Sequence, residues 1–212
     1  MYLPSHFAET RVDVMHDLIR AYPFGTLVVL TPGGLEANHI PFEVSSEPAP
    51  FGILRGHLAR ANPVWKNFSA QVDALVVFQG AHAYISPSWY ESKKEHGKVV
   101  PTWNYAVVHA SGPLRVIDDR AWVRRFVEQL TDRHEAHRSD PWKVTDAPTD
   151  FVDTMTNAIV GIEVPIMQLA GKWKVSQNRP QKDRTGVVQG LQQNRTDDNA
   201  SMADLVGQKQ GD

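Results

Sequence analysis

A hairpin pattern near the N-terminus constrains the fold of this chain more than any other feature. Residues Gly25 to Thr31 are β-branched and apolar, which is typical of a buried strand. The turn Pro32-Gly33-Gly34 follows, and Leu35 to Val44 returns as a second strand. Hairpin strands with few helices between them favour an antiparallel sheet over a doubly wound parallel one.

Later segments extend this sheet. Further strands are predicted at Phe51 to His57, Ala74 to Phe78, Trp103 to Ile117 and Ile159 to Val164, and Pro165 to Lys174 continues beyond the last of them. Glycine bends bound several of these segments, including Gly112-Pro113 inside the long one. Roughly six strands with such bends indicate a closed or nearly closed small barrel.

Helices are predicted around the sheet. Apolar stripes and capping residues place them at Thr10 to Ala21, from Asn62, at Asp119 to His137 and at Thr149 to Asn157. The loop from Ser86 to Thr102 is long, and its aromatic residues favour an ordered, functional loop. We therefore expect one domain over residues 1–190 and a polar C-terminal tail over 191–212, in which Ala200 to Val206 could form a short helix.

Composition excludes several classes of protein. The 212 residues carry a net charge of −2, which is not typical of a dedicated DNA-binding domain. Cysteine is absent, so disulfides and thiolate metal sites are excluded. A chain without disulfides suits a reducing cytoplasm. The N-terminus lacks the layout of a signal peptide, and no apolar run is long enough for a membrane span. We expect a soluble cytoplasmic protein.

The stretch from Gly56 to Lys66 predicts a phosphate pocket. Asn62 is a good helix N-cap, and Pro63 suits the first helical position. A helix start exposes unpaired backbone N–H groups and the positive end of the dipole, and the cations His57, Arg60 and Lys66 lie close by in sequence. The alternative is an ordinary capped surface helix with solvated charges.

Two further stretches have a composition suited to ligands. Lys172 to Pro180 is dense in hydrogen-bond donors: its Gln and Asn suit the imide edge of a heterocycle, and its Arg suits a phosphate. The aromatic segments Tyr84 to Tyr90 and Val100 to Tyr105 could line a pocket for a planar ligand or form a protein interface. A solvated loop and ordinary aromatic core packing are the respective alternatives.

Familiar catalytic signatures are missing from the sequence. The nine histidines show no H-E-x-x-H frame, so no metal site is predicted. The chain has no G-x-S-x-G elbow, no G-x-G-x-x-G fingerprint and no Walker-type loop. His39 falls on a predicted barrel strand, where a structural role is favoured over that of a catalytic base. No catalytic residue is assigned.

Several motifs taken together resemble the PaiB family of FMN-binding split-barrel proteins, which are described as negative transcriptional regulators. The resemblance covers nearly the whole chain, and its motifs are Gly56 to Pro63, Tyr84 to Tyr90, Val100 to Tyr105 and Ser176 to Arg179. It implies a six-stranded antiparallel Greek-key split barrel, mainly β with peripheral helices. It also implies a homodimer with FMN between the two subunits.

The resemblance also implies positions for the cofactor. The FMN phosphate maps onto the end of one strand and the following turn, that is, onto Arg55, Gly56, His57, Arg60, Asn62 and Lys66. The isoalloxazine ring or ribityl chain maps onto the adjacent strand at Asn38 and His39, and Gln79 is a further contact. The basic phosphate motif of related pyridoxamine-phosphate oxidases is only partly kept, as Ala59-Arg60-Ala61.

Three hypotheses of function follow. The first is a flavin-binding regulator, acting on DNA directly or through another partner. The second is a flavin-dependent oxidoreductase for a small planar substrate. The third is an interaction module with an empty pocket, and a haem-binding role is a more distant option.

Overall fold

The computed structural model describes residues 1–194 and 196–208, and these form ten strands and seven α-helices. The strands are β1 (Ala8–Glu9), β2 (Phe24–Thr31), β3 (Gly34–Pro41), β4 (Glu43–Ser45), β5 (Ile53–Ala59), β6 (Ala74–Ile85), β7 (Thr102–Gly112), β8 (Arg115–Ile117), β9 (Ile159–Pro165) and β10 (Gln168–Lys174). The helices are α1 (Val12–Ala21), α2 (Val64–Asn67), α3 (Ser92–His96), α4 (Arg120–Glu135), α5 (Thr149–Asn157), α6 (Gln181–Gln193) and α7 (Asp197–Gln208). Short 3₁₀ turns lie at Ser5–Phe7, Pro87–Trp89 and Val144–Asp146.

The chain divides into two compact units. Unit 1 contains Met1–Tyr22, Phe78–His109 and the described residues from Ala170 onward. Unit 2 contains Pro23–Val77 and Ala110–Leu169. Each unit is therefore built from segments that are distant in sequence.

The predicted hairpin is present in unit 2, but its second strand ends at Pro41, and Glu43–Ser45 is a separate strand of another sheet. Strands β2 and β3 pair antiparallel along their whole length, from Phe24 opposite Pro41 to Thr31 opposite Gly34. The first residues of β6 pair with the other edge of β2. A separate antiparallel sheet has the strand order β4-β5-β9-β8. The buried side chains of unit 2 include Leu27, Phe42, Leu54, Leu58, Val160 and Ile162.

Helix α4 packs on the second sheet of unit 2. Its first turn is capped by Asp119, whose carboxylate accepts a hydrogen bond from the Trp122 backbone at 2.6 Å. The indole of Trp122 lies against Gly161 of β9, where a Cβ atom would come within 2.3 Å of the ring. Glycine at this position therefore lets the helix approach the sheet closely. Trp122 in turn stacks on Phe126 at 5.2 Å.

Unit 1 combines strands and four helices. Its strands have the order β1-β10-β7-β6, with Ala8 of β1 opposite Lys172 of β10. Helices α1, α3, α6 and α7 belong to the same unit. Its core includes Met15, Ile19, Phe78, Val108, Leu191 and Met202.

The expectation of a mainly β, antiparallel protein with peripheral helices is confirmed, with more strands than expected. The predicted strand Trp103 to Ile117 is broken at Gly112-Pro113 into β7 and β8. The backbone comes so close there that a Cβ on Gly112 would lie 1.9 Å from the Pro165 carbonyl oxygen. Within the described residues, no helix has the combination of length and apolarity that membrane crossing requires.

Two predicted boundaries differ from the structure. The helix expected from Asn62 is a single turn, Val64–Asn67, so it offers no helix N-terminus of useful length for an anion. The packed part of the chain extends beyond the predicted boundary at residue 190. Helix α6 runs to Gln193, and α7 buries Met202, Ala203 and Val206, apolar side chains that a solvated polar tail would not bury.

Candidate functional site

Two of the predicted site segments meet in unit 2. The Asn62 side chain, just after β5, donates a hydrogen bond from Nδ2 to the Asn38 Oδ1 on β3 at 2.7 Å. The other end of the same amide accepts a hydrogen bond from the Val64 backbone at 2.9 Å, which fixes the start of α2. Both asparagines are half-buried. This side-chain hydrogen bond therefore joins two residues that are 24 positions apart in sequence.

Trp65 holds two cations beside this amide pair. The Lys66 ammonium lies 4.6 Å from the indole centroid, and the guanidinium carbon of Arg60 lies 5.8 Å from it. The indole Nε1 donates to the Arg60 carbonyl oxygen at 3.0 Å. Asn38, Arg60, Asn62, Trp65 and Lys66 are hereafter called the polar edge. Trp65 lies within the predicted pocket stretch, but no pattern in the sequence assigns it a role.

Arg60 holds the turn after β5 in place. Its Nε donates to the Asn157 carbonyl oxygen at 2.8 Å, and Nη2 donates to that of Ile159 at 3.1 Å. The two terminal nitrogens also bind the Asp118 carboxylate at 3.0 and 2.6 Å. The hydrogen bond to Asp118 raises the pKa of Arg60 and lowers the pKa of Asp118. Most Arg60 donors are therefore engaged, and exposed Lys66 is the cation of the polar edge with donors available to a ligand.

Arg55 and His57 lie on the face of β5 that α4 covers. Arg55 Nε donates to the Glu163 carboxylate at 2.9 Å, and the His57 ring lies 6.0 Å from Phe126. Arg55 also lines a cleft of about 220 Å³ with Trp122, Arg125, Phe126 and Gln129. Burial lowers the pKa of His57, and its Nδ1 has no hydrogen-bond partner among the described residues.

The remaining predicted residues lie in different surroundings. A Cβ on Gly56 would lie 3.1 Å from Ile40 Cδ1, so this glycine serves close packing of the core. His39 is exposed on β3, with its ring 6.2 Å from Phe24. Gln79 is exposed on β6 and belongs to unit 1, whereas the other predicted site residues belong to unit 2.

The donor-rich segment after β10 is partly structural. Gln177 Oε1 accepts a hydrogen bond from the Val175 backbone at 2.8 Å, and its Nε2 donates to the His6 carbonyl oxygen at 3.0 Å. Because these bonds occupy both ends of the amide, Gln177 is not free to recognise a heterocycle. Asn178 is exposed.

Comparison with known proteins identifies relatives along the whole chain. The family described as "Putative FMN-binding domain" matches residues 1–168. The protease synthase and sporulation protein PAI 2 of Bacillus subtilis is 32% identical over 209 residues, covering 99% of this chain and 98% of that protein. An uncharacterized protein of Emericella nidulans is 35% identical over 244 residues, covering 99% of this chain and 97% of its own.

Solved structures share the fold at low sequence identity. The FAD and heme binding protein from Mycobacterium smegmatis has a TM-score of 0.57 at 17% identity, over 79% of this chain and 73% of that one. A conserved hypothetical protein from Mycobacterium tuberculosis has a TM-score of 0.58 at 12% identity, over 85% of this chain and 94% of its own. These likenesses support the expected split-barrel fold. The description of the matching family names FMN as the cofactor. The chain therefore belongs to the PaiB-like family of FMN-binding domains.

Proposed function

We propose that this protein binds FMN through the polar edge of unit 2 and that the bound flavin serves a regulatory role. The observation that carries the proposal is the Asn62–Asn38 hydrogen bond, because it joins the stretch whose own residues predict a phosphate pocket to the strand that the family resemblance assigns to the rest of the cofactor. The family match adds the identity of the cofactor. When bound, FMN would supply a redox-active ring.

The donor set of the polar edge suits the phosphorylated end of such a cofactor. Lys66 offers a positive charge that lies over the Trp65 ring and also acts electrostatically on the Asp118 carboxylate. Ammonium groups and side-chain amides are suitable donors to phosphate oxygens. His39 follows Asn38 on β3 and lies on the opposite face of the strand, where its exposed ring is 6.2 Å from that of Phe24. Arg60 would act by holding the turn, with its carboxylate partner Asp118 neutralising its charge.

Flavin fluorescence titration tests this assignment. We expect Lys66→Met to weaken FMN binding about tenfold, since a hydrogen bond to a charged group is lost. Riboflavin, which lacks the phosphate, should bind both proteins equally. Lys143→Met removes an exposed lysine elsewhere in unit 2 and serves as the matched control. Equal FMN affinity of the wild type and Lys66→Met would reject the polar edge as the phosphate site.

We further propose that two copies of the chain associate through the outer face of the β2–β3 hairpin. Phe24 and Leu35 are 65% and 79% exposed, and Leu30 lies opposite Leu35 on the same face. Phe24 lies at one end of this face and the Leu30–Leu35 pair at the other, so a partner copy could cover the hairpin along its length. Sedimentation velocity should give a dimer for the wild type and a monomer for Leu35→Glu. A wild-type monomer at micromolar concentration would contradict this proposal.

The regulatory role is supported by kinship alone. The Bacillus subtilis relative is named a sporulation protein, and a flavin could act as a signal by binding one of two conformations more tightly than the other. A gel-shift titration against the promoter of the protein's own gene, with and without FMN at physiological salt, tests direct action on DNA. The net charge of −2 gives little non-specific attraction to DNA, so a shift would report specific binding. Absence of a shift at micromolar protein would leave only regulation through another partner.

A second candidate function is a flavin-dependent oxidoreductase. Tyr84 and Trp103 of unit 1 are each about half exposed, and His82 stacks on Trp103 at 5.9 Å. Such an exposed aromatic group can hold a planar substrate. Anaerobic NADH or NADPH should then bleach the absorbance of the bound flavin. A flavin that keeps its absorbance with both reductants contradicts this function.

A further inference from the structure

Strand β10 carries cations that the flavin proposal does not use. Lys172 and Lys174 are two residues apart and therefore lie on the same face of the strand. Lys172 is only 8% exposed. Its ammonium donates to the Tyr2 carbonyl oxygen at 3.1 Å and lies 5.4 Å from the ring centroid of Tyr105. An ammonium group has three donors, so this single hydrogen bond leaves capacity for a ligand.

Lys174 lies beside the same tyrosine. Its ammonium donates to the Thr102 hydroxyl and, at 2.8 Å, to the Trp103 carbonyl oxygen. Burial lowers the pKa of Lys174; the phenol of Tyr105 opposes this effect, and the charges of Lys172 and Arg179 reinforce it. The guanidinium of Arg179 is held over the Tyr90 ring at 4.9 Å. Lys172, Lys174, Arg179 and Tyr105 are called the basic cluster below.

Among the residues that the structure describes, the basic cluster makes no ion pair with a carboxylate. Within residues 1–194 and 196–208, no carboxylate lies within 4.0 Å of Lys172, Lys174 or Arg179. The groups that act electrostatically on Lys174 are likewise a phenol and two cations. Charges that are taken out of water are normally paired, since desolvation of an unpaired charge is costly. The cluster therefore has the chemistry of a site whose counter-ion is a ligand.

We propose that the basic cluster binds the phosphate group of a small ligand. Three formal positive charges match a dianion better than the single charge of a carboxylate. Lysine binds phosphate as a point charge, and the fixed guanidinium plane of an arginine can bind two phosphate oxygens in parallel. The phosphate could belong to FMN itself or to a separate phosphorylated metabolite. The cluster consists of unit 1 residues alone, so the inference does not depend on the polar edge.

Isothermal titration with inorganic phosphate tests the inference. We expect Lys174→Met and Arg179→Gln each to raise the Kd for phosphate at least tenfold. Lys93→Met, which removes an exposed lysine of α3 in the same unit, should leave the Kd unchanged. These variants keep the more deeply buried Lys172, so they should fold, as circular dichroism will check. Absence of phosphate binding by the wild type, or equal Kd values for all four proteins, would overturn the inference.

FMN and riboflavin titrations of the same proteins identify the source of the phosphate. A Kd for FMN that rises in Lys174→Met, with no change for riboflavin, assigns the cluster to the phosphate of the flavin and rejects the polar edge as the phosphate site. An unchanged Kd for FMN together with lost phosphate binding assigns it to a separate metabolite. If the wild type binds phosphate but no FMN, the flavin proposal fails while this inference stands.

Discussion

Asn62 shows how a single side chain can serve both folding and ligand binding. Its oxygen receives the Val64 backbone N–H, and its nitrogen donates to Asn38. The first bond is local and holds the single turn of α2. The second is non-local and brings β3 to the polar edge. The two functions of the amide can therefore be separated by substitution.

Asn62→Asp should keep the local bond and lose the other. A carboxylate still accepts from the Val64 N–H but cannot donate to Asn38, and it places a negative charge beside the expected phosphate. We expect FMN affinity to fall at least tenfold with little change in thermal stability. Asn62→Ala, measured in parallel, should also lose about 1 kcal/mol of unfolding free energy, because the Val64 N–H loses its acceptor. Equal stability losses for the two variants would contradict this separation of roles.

Asp183 provides a comparable test in unit 1. It is 1% exposed, and its carboxylate accepts hydrogen bonds from the Ser92 backbone at 2.9 Å and the Ser92 hydroxyl at 2.8 Å. Asp183→Ala leaves both donors buried without a partner, at a cost of about 1–3 kcal/mol each. Ser92→Ala removes only the hydroxyl and should cost less in urea denaturation. A larger loss for Ser92→Ala would show that the carboxylate is not the centre of this contact.

Helix α6 depends on close approach at glycine. Near Gly186 the backbone of the Pro87–Trp89 turn comes so close that a Cβ would lie 1.9 Å from the Trp89 carbonyl oxygen. At Gly190 the Trp89 side chain itself lies where a Cβ would stand, with Cδ2 at 2.3 Å. The helix therefore docks on this turn only because two of its residues lack side chains.

Gly186→Ala and Gly207→Ala should consequently change stability in opposite directions. At Gly186 the added methyl meets backbone that must shift, and overpacking of this kind typically costs 1–3 kcal/mol. At Gly207 in α7 a Cβ meets nothing within 4 Å, and alanine is the better helix former by up to about 1 kcal/mol. Thermal melts of both variants measure the two changes. A stabilised Gly186→Ala would show that the turn moves away from α6 at no cost.

The pH dependence of folding combines contributions from both units. Burial lowers the pKa of His57 in unit 2 and the pKa of His109 in unit 1 below the ordinary value of 6.5. Below that pH the unfolded chain binds protons that the folded protein does not. The unfolding free energy should therefore be fully present above about pH 6.5 and fall as the pH is lowered from there.

Urea denaturation between pH 8 and pH 5 measures this slope. His57→Gln and His109→Gln should each flatten it, and the double variant should flatten it further. The signs follow from linkage, because a histidine with a lowered folded pKa makes the unfolded state the better proton acceptor. If neither single variant changes the slope, groups other than these histidines dominate the loss of unfolding free energy at low pH.

Sequence by itself determined the local structure of this protein. β-branched runs and the Pro32-Gly33-Gly34 turn predicted the hairpin, and an apolar stripe predicted α4, because strand and helix preferences are set by neighbouring residues. Thr149, predicted as the cap of α5, is instead its first helical residue. The four motifs predicted the family, which the comparisons confirm. The assignment of individual residues to FMN stays a prediction.

Only the tertiary structure decided which predicted residues come together. Asn38 and Asn62 form a hydrogen bond, whereas Arg55 and His57 lie on the face of β5 that α4 covers. Arg60 binds Asp118, which is 58 residues away in sequence. The Gln177 amide is likewise hydrogen-bonded to backbone groups. The lysines of β10 are therefore the candidate ligand-binding residues of that segment. Which residue a side chain binds depends on how distant segments pack, and a short stretch of sequence does not encode that packing. Propensity acts over a few residues, but charge pairing and burial are settled when the segments assemble.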